Sequence, residues 1–474
     1  MSASLPFVGI QVGPHTLFDE GIDHALDFIQ TTSAANALIV YSHTYYGGGN
    51  RAPIERLAQD HGVPLQGQPG DPLPRVWAKP RESFYRHTSL RHAVDPSLPY
   101  ADRDLFAELE APAKERGLQV YARVLEGNHS ALPDLVKRGH EVKEIDAFGV
   151  THARPCLNHP AYLEFWCATI RDMMKSYALD GFQFGHERGG TLAHTLFQGT
   201  QFADTPTCFC AYCLARADRE NVDAVRAREG LKALHECSRQ WGEPDGNSQR
   251  DRLMQLLRLF FQYPEVLAWE QMSFRARTDF SAALYETVKA AEPEAKFGLH
   301  IDHRLVWDPF FRITLDYEDL ARRSADWIKP IMYHDVAGPR TRWWLVNSLH
   351  KTFLSEFPEP EILRFFYHVM GLDEKKMPAL DELDQQGFGP DYVYQETSRA
   401  VRETQGEAAV YSSIGLDVPW GRGDWTHFPS DPSIIEQSIE AAVRGGAKGI
   451  VISREYQEMQ KANLEAVGRA VRNG

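Results

Sequence analysis

The sequence lacks an apolar run long enough to span a bilayer, and its basic residues are outnumbered by acidic ones. The 51 Lys and Arg residues against 65 Asp and Glu residues give a formal net charge of −14 at pH 7. An acidic surface does not attract nucleic acid or anionic lipid, so we expect neither a nucleic-acid partner nor a membrane partner. The opening stretch MSASLPFVGIQVG has no basic segment followed by a long apolar one, which predicts no signal peptide and a cytoplasmic protein.

Cysteine is scarce, and a Gly-x-Gly-x-x-Gly motif is missing after the first predicted strand. Six cysteines in 474 residues are too few for a disulfide framework. Without the glycine motif, the sequence does not favour a doubly wound sheet that binds a dinucleotide.

Eight apolar segments rich in β-branched and aromatic residues alternate with helical patterns along the chain. Near-continuous apolar runs of this kind are typical of strands buried on both faces of a parallel sheet. The eight predicted strands are Phe7–Gly13, Asn36–Tyr45, Leu118–Gly127, Asp180–Glu187, Ala295–His303, Asp326–Asp335, Ala408–Asp417 and Gly449–Tyr456. Eight strands with helices between them predict an α/β fold, a (β/α)8 TIM barrel.

Two connections are longer than a minimal barrel needs. Residues 46–100 follow the second strand, and residues 191–294 follow the fourth strand and contain a cysteine cluster. Both begin at the carboxyl ends of strands, the face on which barrels build their sites. We therefore predict one catalytic barrel over residues 1–474, with a long active-site loop at 46–100 and a helical, metal-binding insertion at 191–294.

Acidic, histidine and basic residues follow the carboxyl ends of the predicted strands. This pattern predicts a pocket lined by titratable groups at that end of the barrel. Within LDGFQFGHERGG, Glu187 is the leading candidate for a general acid, because a carboxyl between apolar walls can have a raised pKa; the alternative is a surface ion pair with Arg188. Glycosidic cleavage usually needs a second carboxylate, for which Asp417, Glu455 and Asp302 are candidates in that order. The predicted substrate contacts are His43, Glu126, His186, Arg188, Asp302, His303, His334, Trp420 and Arg454, with Trp425 as a further stacking surface.

Three cysteines stand close together in TPTCFCAYCLARA, and a fourth lies upstream in ARPCLNHPAY. The C-x-C-x-x-C spacing of Cys208, Cys210 and Cys213, completed by Cys156, suits a tetrahedral site for a soft metal ion. Four thiolates would close the coordination sphere, so the metal would be structural. An iron–sulfur cluster and four reduced thiols are the alternatives.

The segment RPCLNHPAYLEF, the strand that ends in Glu187 and the C-x-C-x-x-C motif together resemble glycoside hydrolase family 42, the beta-galactosidase family. The stretch also resembles uncharacterised glycosyl-hydrolase-like barrel proteins, and the close match covers residues 154–216. The resemblance implies a carbohydrate substrate, Glu187 as the general acid and a structural zinc ion on the four cysteines, and it is compatible with a homo-oligomer. Two positions depart from the family: His186 stands where the family has Asn, and the seventh strand, AVYSSIGLD, lacks the family's nucleophilic Glu.

Two other functions stay open at this point. Glu187, Asp302, His334 and Glu455 could instead hold a divalent cation, as in a metal-dependent sugar isomerase, epimerase or lyase. A catalytically inactive sugar-binding barrel is the second alternative, and the missing seventh-strand Glu favours both. The cysteine motif favours the glycoside hydrolase, because the resemblance connects it with that class.

Overall fold

The computed structural model describes residues 5–44, 58–62, 75–127, 136–198, 204–241, 251–419 and 430–473. Eight parallel strands close into a barrel, which confirms the predicted (β/α)8 fold. Successive strands are neighbours, and the first strand pairs with the last. The strands are β1 Phe7–Val12, β2 Ala37–Tyr41, β3 Gln119–Gly127, β4 Gly181–Glu187, β5 Lys296–Ile301, β6 Trp327–Met332, β7 Ala409–Gly415 and β8 Gly449–Ser453. Each lies inside one predicted segment, since its side chains are buried on both the inner and the outer face.

Helices surround the barrel, and several begin at an aspartate that accepts a hydrogen bond from the first turn, as Asp104 does from the Ala107 amide and Asp316 from the Asp319 amide. The helices are α1 Pro14–Asp19, α2 Ile22–Ser33, α3 Leu105–Glu115, α4 Pro160–Ser176, α5 Thr191–Leu196, α6 Ala211–Arg219, α7 Ala224–Trp241, α8 Arg252–Gln262, α9 Glu265–Ala291, α10 Arg304–Trp307, α11 Pro309–Ile313, α12 Tyr317–Ser324, α13 Ala337–Trp344, α14 Glu359–Met370, α15 Leu383–Gln386, α16 Gly389–Glu403, α17 Pro432–Arg444 and α18 Lys461–Asn473. Within the described ranges, every helix is too short or too polar to cross a lipid bilayer.

A third long connection, which the sequence analysis did not anticipate, joins β6 to β7. It carries helices α13 to α16 and a π-helical turn at Leu345–Leu349. The segment predicted as a helical insertion, residues 191–294, carries helices α5 to α9. Its separate role, like the single-domain organisation over residues 1–474, stays a prediction.

The barrel interior has an aromatic base and a polar middle. At the base, the Phe7 ring stacks on Tyr411 at a centroid distance of 4.3 Å and contacts Trp327 and Tyr121 at 5.7 Å. Above it, hydrogen bonds cross the barrel in a chain, with atom separations of 3.0 Å, 2.8 Å and 3.5 Å. The chain runs from Ser413 through Ser453 and Gln11 to Gln183. The interior of this barrel is therefore hydrophilic below its mouth, where barrels usually carry branched apolar side chains.

Candidate active site

Glu187 ends β4 and faces the mouth of the barrel. Strand alternation turns Gln183, Gly185 and Glu187 inward. A side chain at Gly185 would collide with the His300 ring, so the glycine leaves room for that imidazole. The Glu187 Oε1 atom lies 3.9 Å from His300 Nε2, and the side chain keeps 35% of its surface exposed. Glu187 is therefore reachable from solvent while its lower side is enclosed.

Burial and the neighbouring Asp302 carboxylate raise the pKa of Glu187 to about 7, although the charges of Arg123, Arg304 and Arg454 oppose this change. The exposed third of the side chain means that solvent screens part of these effects. A carboxyl with this pKa is protonated in a large fraction of molecules near neutral pH, which is what a general acid requires.

Asp302 follows β5 and is the carboxylate whose charge acts most strongly on Glu187. Its Oδ1 accepts a hydrogen bond from the Arg304 amide at 2.9 Å, and its Oδ2 lies 3.2 Å from Arg304 Nη1. These charge-assisted contacts fix the orientation of a carboxylate that is 6% exposed. The structure thus brings one of the three candidate second carboxylates beside Glu187.

Asp417 and Glu455 have different surroundings. The Asp417 carboxylate is fully buried and accepts hydrogen bonds from Asn463 Nδ2, at 2.9 Å to each oxygen, and from the Gln460 amide at 2.9 Å. These contacts tie it to helix α18 and the turn before it. Glu455 is buried and accepts a hydrogen bond from Gln457. As catalytic groups both stay predictions, and the contacts of Asp417 favour a structural role.

Glu126, His186 and Arg188 lie behind the barrel wall. The Glu126 carboxylate accepts hydrogen bonds from Nε and Nη2 of Arg188 and from Tyr162 Oη at 2.8 Å. His186 Nδ1 lies 3.3 Å from Glu126, and its Nε2 lies 3.3 Å from Ser281 of helix α9. Strand alternation turns these side chains outward, because Glu187 between them points inward. Substrate binding by these three residues stays a prediction that this placement does not favour, and Arg188 pairs with Glu126 rather than with Glu187.

Three predicted histidine contacts are buried. His43 is 1% exposed and lies against His92 and Trp166, and burial lowers its pKa to about 3. His303 Nδ1 accepts hydrogen bonds from Arg340 at 3.0 Å and Trp307 at 3.3 Å. His334 is 1% exposed, and burial lowers its pKa. Their roles as substrate contacts stay predictions.

Of the remaining predicted substrate contacts, the structure describes Arg454 but not Trp420 or Trp425. Arg454 follows β8, and its Nη2 lies 3.0 Å from Glu458 Oε1. Its charge also acts on Glu187, so it belongs to the mouth. Trp420 and Trp425 lie outside the described residues, as do residues 46–57 and 63–74 of the predicted loop at 46–100.

The four predicted cysteine ligands form one buried cluster. All four Sγ atoms lie within 4.8 Å of one another, and Cys156 Sγ is 3.5 Å from the Sγ atoms of both Cys210 and Cys213. Tetrahedral zinc with bonds of about 2.3 Å to sulfur places its ligands at nearly this spacing. Asn158 Nδ2 lies 3.3 Å from Cys213 Sγ and the Ile145 amide 3.5 Å from Cys208 Sγ, as supporting donors around a thiolate site do. The cluster can therefore hold a metal ion, and zinc as its identity stays a prediction.

A buried chain of ion pairs connects the cysteine cluster to the end of β4. The Arg188 guanidinium contacts Glu144 at 3.0 Å as well as Glu126. Arg154 donates to Glu144 at 3.0 Å and to the hydroxyl of Thr207, the residue before Cys208, at 3.0 Å. A metal on the cysteines would therefore stabilise the loop against which the residue after Glu187 is held.

Sequence reasoning missed the polar groups inside the barrel. Arg123 and Lys329 stand in the middle of the predicted strands LQVYARVLEG and DWIKPIMYHD, and both are buried. A charged residue within an otherwise apolar strand was the signal that could have identified them.

No protein-family model matches the chain, and no curated protein matches it either. Among solved structures, the chain is similar to a beta-galactosidase from the psychrophilic Marinomonas ef1, with 11% identity, 98% of this chain and 59% of that chain covered, and a TM-score of 0.50. It is equally similar to a beta-galactosidase from the haloarchaeon Halorubrum lacusprofundi, with 12% identity, coverage of 98% and 57%, and a TM-score of 0.50. The chain thus spans less than two thirds of the length of either enzyme. What it shares with these glycoside hydrolases is the barrel fold.

Proposed function

We propose that the protein is a glycoside hydrolase in which Glu187 is the general acid. The observation that carries the proposal is the position of Glu187 at the mouth of the barrel, partly exposed and with a pKa raised to about 7. Glu187 would donate its proton to the glycosidic oxygen as the bond to the leaving group breaks. A barrel shared with known glycoside hydrolases supports the proposal through its fold alone.

We assign the second carboxylate to Asp302 rather than to Asp417 or Glu455. Asp302 is the acid whose charge acts on Glu187, whereas the Asp417 carboxylate is occupied by Asn463 and Gln460. In this role Asp302 would stabilise the positive charge that develops on the sugar, either directly or through an activated water. The departure from family 42, which uses a glutamate at the end of its seventh strand, is explained if the second carboxylate lies on β5.

The metal-dependent alternative finds less support. It needs Glu187, Asp302, His334 and Glu455 to converge on one divalent cation. Among the residues that the structure describes, the cysteine cluster is the group of His, Cys, Asp and Glu ligands with the spacing of an ion site. The glycoside hydrolase is therefore our proposal, with the cysteine metal in a structural role.

The test is hydrolysis of a panel of aryl glycosides and aryl uronides by the wild type, Glu187→Gln and Asp302→Asn. Exposed Glu115→Gln is the matched control. We expect Glu187→Gln to lower kcat/KM by about 10²–10⁴-fold on substrates with poor leaving groups. The loss should be much smaller on dinitrophenyl glycosides, because their leaving group needs no proton. Equal losses on both substrates, or full activity in the variant, would refute the role of Glu187, and a wild type that cleaves nothing would refute the function.

A further inference from the structure

Two basic side chains lie inside the barrel without a carboxylate in direct contact. Arg123 of β3 is 1% exposed, and Lys329 of β6 is fully buried, which lowers the pKa of its amine well below the usual value. In the described part of the chain, no carboxylate oxygen comes within 4.0 Å of either side chain's nitrogen atoms. The Arg123 guanidinium lies over the Tyr41 ring at 4.3 Å, while its Nε and Nη1 have no hydrogen-bond partner. Burying a charge without a partner is costly, so packing alone gives no reason for this arrangement.

Further donors face the same space. Gln183 of β4 is fully buried, and its Nε2 has no hydrogen-bond partner. On β5, His300 Nδ1 lies 3.4 Å from Lys329 Nζ, and its Nε2 has no hydrogen-bond partner. Arg123 stands beside Gln183 in the β3–β4 register, and His300 stands beside Lys329 in the β5–β6 register. Strands β3, β4 and β5 thus direct nitrogen atoms without hydrogen-bond partners towards the barrel axis, and Lys329 of β6 adds an amine whose partner is the His300 ring.

This donor set is complementary to an anion with several oxygen atoms. A guanidinium binds a carboxylate through parallel hydrogen bonds, and amide and imidazole donors can complete the set. Arg123 is near enough to Glu187 for its charge to oppose the rise in the pKa of that carboxyl. A sugar held by its anionic group would therefore present its remaining atoms to the general acid.

We propose that Arg123, Gln183, His300 and Lys329 bind the carboxylate of the substrate, and that the protein acts on uronate-type sugars. The inference rests on the glycoside hydrolase function proposed above and names the class of sugar for that site. It also assigns a role to polar side chains that barrel stability does not require.

The experiment measures binding of free sugars by calorimetry, independently of hydrolysis. The probes are D-glucuronic and D-galacturonic acid, the neutral sugars D-glucose and D-galactose, glucose 6-phosphate and inorganic phosphate. The proteins are the wild type, Arg123→Gln, Lys329→Met and the control Arg402→Gln, which removes one positive charge from a side chain that is 68% exposed. We expect one uronate to bind the wild type and Arg402→Gln at least tenfold more tightly than its neutral counterpart, and Arg123→Gln and Lys329→Met to lose that preference.

A second readout separates binding from folding. Arg123→Gln removes a buried charge that no carboxylate contacts, and Lys329→Met removes a buried amine whose pKa burial lowers, so the Tm of both variants without ligand should equal or exceed that of the wild type. Uronate should raise the Tm of the wild type and not that of Arg123→Gln. Equal affinity for neutral and acidic sugars, a stronger preference for glucose 6-phosphate, or inorganic phosphate binding as tightly as any uronate would overturn the assignment. If uronates bind but aryl uronides are not hydrolysed, the proposed hydrolase function is refuted, whereas the proposed anion-binding site is supported.

Discussion

Replacing Glu126 by glutamine should destabilise the protein by about 3 kcal/mol at pH 7. Glu126 is 1% exposed, and breaking a buried ion pair by removing one charge typically costs about 3–5 kcal/mol. The variant keeps the shape of the side chain but leaves the buried Arg188 guanidinium with Glu144 as its carboxylate partner, 3.0 Å away. Because Glu144 remains, we expect the lower end of the range.

The pKa of Glu126 determines how the stability difference between wild type and variant changes with pH. Burial raises the pKa of Glu126, but the charge and hydrogen bonds of Arg188 outweigh burial and hold the pKa well below its usual range. A carboxyl with a lowered pKa in the folded state contributes stability that is complete above about 4.5, its value in the unfolded chain, and is lost as the pH falls. Wild type and variant should therefore differ by a constant amount between pH 7 and about pH 5, and should converge in stability as the pH falls below about 4.5.

The assay is urea unfolding followed by tryptophan fluorescence, at pH 7 and in steps down to pH 3. The matched control is Glu141→Gln, which removes a carboxylate that pairs with exposed Arg138 and should leave the unfolding midpoint unchanged. The double variant Glu126→Leu/Arg188→Met should be more stable than Glu126→Gln, because no charge is left buried alone. A loss below about 1 kcal/mol in Glu126→Gln, or a difference from wild type that does not shrink at low pH, would refute the reasoning.

Three further predictions follow from single contacts. Burial raises the pKa of Glu270, in helix α9, from 4.5 to about 7, so the wild type should lose about 3 kcal/mol of stability as the pH rises from about 4.5 to about 7, and Glu270→Gln should not. Urea midpoints at about pH 4 and about pH 8 that shift equally in both proteins would contradict this. Cys213→Ser should abolish binding of about one metal ion per chain, measured by atomic absorption, and lower the Tm, whereas Cys167→Ser outside the cluster should retain the metal. Asp302→Asn should lower kcat at least 10²-fold and lower the Tm less than Asp417→Asn does, because its partner Arg304 keeps 17% of its side-chain surface exposed to solvent. Asp417→Asn should lower the Tm and spare kcat, because its new amide group would face the Asn463 amide. A large loss of kcat in Asp417→Asn and none in Asp302→Asn would return Asp417 to the catalytic pair.

The barrel strands could be predicted from the sequence because each is a short, nearly continuous apolar run. Their ends were placed within a few residues, as the contrast between apolar segments and polar loops allows. The helices between β6 and β7 were not anticipated, although residues 336–407 separate the sixth and seventh predicted strands and form a connection longer than the one at 46–100. The length of this connection was therefore a signal in the sequence, whereas the breaks between its helices were not.

The candidate site was predictable in position but not in the direction of its side chains. His186, Glu187 and Arg188 were all predicted to belong to the site because they lie at the end of one strand. Alternate residues of a strand, however, face opposite sides of the barrel wall. Phe184, which packs against Phe280 of helix α9, marks the outer face of β4, and His186 shares that face. Partners such as Ser281 and Glu144 are distant in the chain, so a single sequence could not show that these polar groups satisfy one another.

The aromatic base of the barrel has a consequence for ligands of the proposed anion site. Phe7, Tyr121, Trp327 and Tyr411 contact one another across β1, β3, β6 and β7 and close the end of the barrel opposite Glu187. In the described part of the chain, a ligand of the proposed anion site would therefore enter from the end of the barrel that carries Glu187, and a product would leave at that same end. Small anions should consequently act as competitive inhibitors, raising KM without lowering kcat, and a hydrolysed sugar acid should inhibit its own formation.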